Sequence, residues 1–307
     1  MDPAPSADPI RRMLETYNEL NSSQITELQE VPSPLEFMRF WKATQTWNAS
    51  TLKEAMAGMS VNVAVTPEGN ADAPTRTENN EILFTKPHEE DQPFDEFLDY
   101  IITQENTGRL PGQEIRYAQT QNNNLPSEYP PLSKDIPPSL PFIRIALSSF
   151  PDATNLWIGN SYSVTSLHKD PYQNIYVQIL RHKHFTLLPP LFQPCVAETL
   201  LQAASYTRNP SGALELQKED QEVPVALYDP DVPGTGRERY EDLARPMRVT
   251  LNPGDMLYLP ALWYHKVSQS CGEEGMSVAV NYWHDMEFGG SFWPLCGFVR
   301  DVAGEGR

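Results

Sequence analysis

His168 and Asp170, two positions apart, open the stretch of the chain with the most chemistry in it, TSLHKDPYQNIYVQILRHKHFTLL at residues 165–188. In an extended segment side chains alternate faces, so residues at i and i+2 point the same way and can converge on one metal ion. A mixed nitrogen and oxygen pair suits iron(II) when a second histidine joins it, because three ligands on one face leave positions open for substrate and dioxygen. A bare HxD carries little weight alone, since both residue types are common in turns. His265 is the candidate third ligand. It lies 265 − 170 = 95 positions beyond Asp170, at the end of GDMLYLPALWYH, and an ordinary half-buried histidine is the plain alternative. Lys183 follows the pair on a strand-like run and could neutralise a dicarboxylate; solvent exposure is its plain alternative. Thr165, Tyr176 and Asn281 add hydrogen-bonding groups on neighbouring predicted strands, and the constellation is more specific than any member.

The elements that must position these residues are short strands preceded by helices. Pro9 to Asn21 places Ile10, Met13, Leu14, Tyr17 and Leu20 at helical spacing, an amphipathic helix that needs a partner surface. Ser33-Pro34-Leu35-Glu36 has capping-box form and starts a second helix carrying Leu35, Met38 and Trp41. Asn48 or Ser50 could cap a third, Thr51 to Met59. Val61 to Thr66 reads as a strand, residues 68–80 as loop, Phe94 to Ile101 as helix and Glu114 to Ala118 as a short strand with Tyr117 able to point inward. Six prolines between Leu125 and Pro141 predict a proline-interrupted connection. Strands follow at Asn155–Ile158, Asn174–Ile179, Lys183–Leu188, Arg248–Leu251, Met256–Pro260, Trp263–Val267 and Val278–Trp283, with an inserted polar loop at 207–245. The pattern predicts a mainly β fold with helical additions: a double-stranded β-helix, jelly-roll or cupin-like, with a helical region at 1–60 and the strand-rich domain at 61–307.

Composition narrows the function classes. The 307 residues hold 23 Lys and Arg against 41 Asp and Glu, a net charge of −18, which argues against a nucleic-acid surface and permits attraction to a basic protein or peptide. Cys195, Cys271 and Cys296 are odd in number without CxxC spacing, as in a reducing compartment. No secretory signal and no 18-residue apolar run is visible, so the expected setting is cytoplasmic or nuclear, with no membrane partner.

HKD at 168–170, Lys183, GDMLYLPALWYH at 254–265 and VAVNYW at 278–283 together resemble a jumonji-C domain, a 2-oxoglutarate- and iron(II)-dependent oxygenase. VAVTPEGNADA at 63–73, NNLPSE at 123–128, TSLHKD at 165–170 and NYWHDME at 281–287 are similar to the JmjC-domain-containing protein seven branch, whose members are lysyl hydroxylases. The resemblance runs from about residue 31 to 299. It implies that His168, Asp170 and His265 bind iron, that Lys183 meets the distal carboxylate of 2-oxoglutarate with Thr165 and Tyr176 assisting, that Asn281 sits near the oxoacid end, and that Tyr117 belongs to the pocket. It further implies dioxygen as co-substrate, a lysine-bearing protein substrate such as a translation-associated GTPase hydroxylated at lysine C3, and a possible homodimer. Asp285 or Glu287 is a candidate to orient the substrate ammonium, with an exposed loop carboxylate as the alternative. A histone-tail protease and a non-catalytic binding module are the other readings; the chain has no HExxH.

Two departures from the branch stand out. Its members carry an additional strand of the form NRPxxIR before Trp41, where this chain runs from MRF almost directly into WKATQTW, so an edge strand is expected to be missing. The turn before Lys183 usually holds glycine, and here reads Leu180-Arg181-His182. A positive φ at that turn would strain the arginine.

Overall fold

The computed structural model describes residues 8–21, 41–232, 234–235 and 239–304. Helix α1 (Pro9–Leu20) is capped by Asp8, whose carboxylate accepts from the backbone N–H groups of Ile10 and Arg11. Its stripe finds the partner it needs: Ile10 and Leu14 are buried in a cluster with Phe192, Cys195 and Tyr240, and the Tyr17 ring meets Phe192 edge-on at 5.5 Å. Leu20 is the exception, 79% exposed at the last position of the helix. The expected helix from Ser33 lies outside the described residues, as does the junction where the additional strand would fall.

Helices α2 (Lys42–Thr46) and α3 (Ala49–Ala55) follow. Asn48 caps α3 in a reciprocal box with Thr51, so the helix starts two residues earlier than Thr51, and it ends at Ala55 rather than Met59, before Gly58 at φ +73°. Strands β1 (Ser60–Thr66), β2 (Ala73–Arg76), β3 (Ile82–Lys86) and β4 (His88–Pro93) lead to helix α4 (Phe94–Thr107) and β5 (Ile115–Tyr117). Residues 68–80 are therefore not wholly loop; β2 pairs antiparallel with β3. The proline-rich connection also differs from expectation. It folds into short helices α5 (Asn124–Glu128) and α6 (Pro130–Ser133), because Pro126 and Pro130 fall in the first turn, where the backbone N–H has no partner within the helix. Helix α7 (Pro141–Leu147) starts on a proline in the same way.

The core is a jelly roll of two four-stranded sheets. One has the order β13-β8-β15-β6, from Met256–Leu259, Tyr172–Leu180, Ser277–Asp285 and Ala153–Gly159. The other is β12-β9-β14-β7, from Met247–Leu251, His182–Leu188, Tyr264–Ser270 and Thr165–His168. Period-two alternation divides each strand between two surroundings. Leu156, Ile158, Ile175, Val177, Val278, Val280 and Tyr282 face outward into a core shared with Trp41, Leu52, Phe94 and Phe97 of the helical layer. Trp157, Tyr176, Ala279 and Trp283 face inward, against Phe185, Leu187 and Val267 of the second sheet. Asn281 shares the parity of Ala279 and Trp283, and Lys183 that of Phe185 and Leu187, which turns both polar groups into the barrel.

The polar segment 207–245 contains a strand that its composition conceals. β10 (Glu198–Arg208) and β11 (Leu214–Ala226) form a long antiparallel hairpin. Most of β11 is exposed or half-exposed on both faces, so no apolar alternation marks it, and it is held through backbone pairing and cross-strand charge pairs such as Lys86–Glu219 and Lys218–Glu81. A final helix, α8 (Phe292–Gly304), lies beyond the sequence-predicted elements.

Candidate active site

β7 and β14 pair with His168 opposite His265, their rings 4.1 Å apart between centroids. Asp170 lies past the end of β7, in a turn whose Asp170 carbonyl accepts from the Leu262 N–H at 2.8 Å. The i, i+2 pair thus converges, although a turn rather than continuous strand carries its second member. Asp170 Oδ2 stands 3.8 Å from His168 Nε2 and 3.6 Å from His265 Nε2, and all three ligand atoms lie within 4.8 Å of one another.

The hydrogen bonds on the far side of each ring assign the tautomers. His168 Nδ1 meets the Ser166 carbonyl at 2.8 Å and His265 Nδ1 the Trp263 carbonyl at 3.0 Å. A carbonyl only accepts, so Nδ1 carries the proton and, in the neutral ring, Nε2 presents a lone pair. Burial, with His168 adding to it, pushes the His265 imidazolium down to about 4. With both rings neutral, two ring nitrogens and a carboxylate oxygen face one another with no donor between them, an arrangement that a divalent cation resolves.

The triad opens on a pocket lined also by Tyr117, Trp157, Thr165, Tyr176, Asn281 and Trp283. At its base lies Lys183, 2% exposed, donating to Tyr117 Oη at 2.8 Å. No carboxylate pairs with this ammonium among the described residues, and burial pushes it down to about 7. Cys271 is no counter-ion, since burial raises its thiol to about 12. The indole N–H of Trp283 is likewise buried without a partner among the described residues. A buried cation needs an anion, and a ligand with one carboxylate at Lys183 and a chelating end at the triad meets both requirements. Iron(II) and 2-oxoglutarate fit these residues.

Tyr117 is set by close approach. A Cβ on Gly159 would stand 2.6 Å from Tyr117 Cδ2 and 2.7 Å from Gln269 Nε2, so glycine alone leaves the ring its place. Asn281 is fixed by a buried amide network: its Oδ1 accepts from Trp157 Nε1 at 3.0 Å and Asn155 Nδ2 at 3.3 Å, and its Nδ2 donates to Asn174 Oδ1 at 3.2 Å. The structure thus brings seven of the predicted metal and cofactor residues to the lining of one pocket, with Lys183 hydrogen-bonded to Tyr117 behind it.

Others were missed. Asn174, Trp157, Phe185 and Trp283 line the pocket; the period-two parity of Tyr176, Lys183 and Asn281 is the signal that would have found Asn174, Phe185 and Trp283, whereas Trp157 reaches the pocket through the pairing of its strand with Ala279. Asp72 is a half-buried carboxylate that accepts from Gln119 Nε2 at 3.3 Å; burial raises its pKa and His168 opposes the rise. It falls inside the GNADA block but only the fold brings it near the triad. Of the two acidic candidates, Asp285 is the exposed last residue of β15, its backbone N–H donating to the Asp152 carboxylate, and the Tyr172 and Trp283 rings stack at 4.7 Å beside it. Glu287 accepts from the Gly289 N–H in its own turn.

The turn before Lys183 has the geometry its usual glycine would suit. Arg181 sits at φ +60°, its guanidinium 3.3 Å from Glu274. Arg181→Gly is expected to stabilise the protein by up to about 1 kcal/mol, the left-handed cost of roughly 1–2 kcal/mol less about 1 kcal/mol for a part-exposed ion pair. Urea unfolding reads the change as a higher midpoint at constant slope; a lower midpoint would mean that the ion pair outweighs the strain.

Residues 29–290 match the family model of the cupin-like domain. The human bifunctional peptidase and (3S)-lysyl hydroxylase JMJD7 is 36% identical over 279 residues, 85% of this chain and 84% of that protein. Lysine-specific demethylase JMJ32 of Arabidopsis thaliana is 32% identical over 92% of this chain and 88% of its own, and JmjC domain-containing protein E of Dictyostelium discoideum is 33% identical over 81% and 76%. With its jelly-roll core, its His-Asp-His cluster and these relatives, the chain belongs to the cupin-like jumonji-C family of iron(II)- and 2-oxoglutarate-dependent dioxygenases.

Proposed function

We propose that the protein is a peptidyl-lysine hydroxylase that acts at C3 of a lysyl residue in a protein substrate, a translation-associated GTPase being the substrate class in view. The observation that carries this reading is the pairing of the His168–Asp170–His265 triad with a buried Lys183 that lacks a carboxylate partner, together with 36% identity to a protein named as a (3S)-lysyl hydroxylase. Iron and 2-oxoglutarate, when bound, supply the oxidising power for inserting oxygen into an unactivated C–H bond, with succinate and carbon dioxide as co-products.

The chain's own residues bind and orient. His168, Asp170 and His265 would hold the metal through two ring nitrogens and one carboxylate oxygen. Lys183 and Tyr117 receive the distal carboxylate of 2-oxoglutarate, Thr165 and Tyr176 flank it, and Asn281, locked by Trp157 and Asn155, fixes the other end. Aromatic walls at Trp157 and Trp283 keep water from the reacting centre. At the rim, Asp285 is the carboxylate suited to a lysyl ammonium, whereas Glu287 is engaged in its own turn.

Mass spectrometry tests the reading. A lysine-bearing GTPase peptide incubated with the protein, iron(II), 2-oxoglutarate and air is expected to gain one oxygen atom on lysine, and Asp285→Asn is expected to raise the peptide KM with little change in kcat. Loss of a methyl group from a methylated lysine would replace hydroxylation with demethylation, and a cleaved backbone would replace it with peptidase action.

A further inference from the structure

The three metal-ligating positions sit on two chain segments, and the neighbours of those ligands point the other way. Lys169, between His168 and Asp170, turns its side chain to the opposite face, as does Tyr264, immediately before His265. Their tips meet. Lys169 Nζ donates to Tyr264 Oη at 2.9 Å and to Glu198 Oε2 at 2.5 Å, and Tyr264 Oη donates to the same Glu198 oxygen at 2.8 Å. Glu198 stands at the start of β10, in neither of the sheets that carry the ligands. Its side chain is 8% exposed, that of Lys169 29%, and Tyr264 is 1% exposed.

We propose that Glu198 is a positioning residue for the metal centre, one carboxylate that clamps both ligand segments from behind. The ladder between β7 and β14 already aligns His168 with His265. Asp170 has no such ladder, being past the strand end, and within its turn the Leu262–Asp170 hydrogen bond holds only the backbone. Lys169 is the adjoining residue, so anchoring its ammonium to Glu198 restricts the turn that presents the Asp170 carboxylate. Tyr264 ties the same anchor to the His265 strand. The clamp is part-buried and charge-assisted, the stronger class of hydrogen bond. Ordering the donors before the cation arrives spares that ordering cost at binding.

A mere structural ion pair would affect folding and leave metal affinity alone, and the test separates the two. Apo-protein is titrated with manganese(II), free ion being read by electron paramagnetic resonance, so that no turnover or organic substrate enters. Glu198→Gln preserves shape and Tyr264→Phe removes a single hydroxyl, and both are expected to bind manganese about tenfold more weakly, the low end of the loss typical of groups that orient metal ligands. Lys169→Met alone is expected to lose a similar amount, and the Glu198→Gln/Lys169→Met double variant no more than the worse of its two single variants, since both act through one clamp. Manganese affinity within twofold of the parent in both Glu198→Gln and Tyr264→Phe, with only the thermal midpoint lowered, would overturn the proposal. So would losses that simply add. Should Glu198→Gln fail to fold, Tyr264→Phe alone carries the same reading.

Discussion

His265→Ala is expected to abolish iron-dependent succinate formation and to remove the thermal stabilisation that metal gives the parent. Changes in groups that only support metal ligands cost about 10–100-fold in affinity, so deleting a ligand is expected to exceed about 100-fold. His265 is the buried member of the triad, opposite His168 on paired strands and tied at Nδ1 to Trp263. Its removal leaves one imidazole and one carboxylate, too few donors to hold the cation on one face. A parent protein at 100 times its metal Kd gains about 2.7 kcal/mol from binding, which a melting curve resolves. The variant should melt at one temperature with manganese or with chelator. Retention of the manganese-dependent shift in His265→Ala would assign the cation to other ligands. His168→Ala is the companion variant and is expected to lose turnover in the same way.

The site was more legible in the sequence than the fold around it. His168, Asp170, His265, Lys183, Tyr176 and Asn281 were readable because strand parity is a local rule: each is an inward position on a strand or adjoins one, and for Tyr176 and Asn281 the outward neighbours Ile175, Val177, Val280 and Tyr282 are apolar. Asp170 shows the rule's limit, since it reaches the triad from a turn held by Leu262, a contact no spacing encodes. Tyr117 was readable as an inward strand position, but its place in the pocket came only through resemblance, because its partners Lys183 and Gly159 are remote in sequence. β11 was hidden because its residues are charged and exposed, so backbone pairing rather than burial makes it a strand. Helices α5 and α6 were hidden by prolines that signal interruption in general and helix starts in particular. The Glu198 clamp was beyond reach, joining residues of β7, β10 and β14 that only the tertiary fold unites.

Lys183→Met is expected to make the empty protein more stable and the cofactor unusable. The ammonium is 2% exposed, has a tyrosine hydroxyl but no carboxylate beside it among the described residues, and is pushed down to about 7 by burial. In the unfolded chain the same lysine holds its proton to about pH 10.4. Between pH 7 and pH 10 the unfolded state thus binds more protons, so the parent gains stability as pH rises through that window, and below pH 7 the burial cost is present in full. Methionine fills the same volume without the charge. By analogy with buried charges replaced by apolar groups, it should stabilise by about 1–4 kcal/mol near pH 7 and erase this lysine's share of the pH slope. Binding behaves oppositely. Removing one partner of a buried, hydrogen-bonded charge pair costs about 2–5 kcal/mol, so the KM for 2-oxoglutarate should rise by roughly 30-fold to several thousand-fold. In the parent, an anion that requires the ammonium must recruit a proton above pH 7, and its Kd should weaken by about tenfold per pH unit there. Calorimetric melting across pH 6 to 9 and 2-oxoglutarate titration in the same buffers read both limbs. A variant that melts lower than the parent at every pH, or binds 2-oxoglutarate as tightly, would place the cofactor's carboxylate away from Lys183.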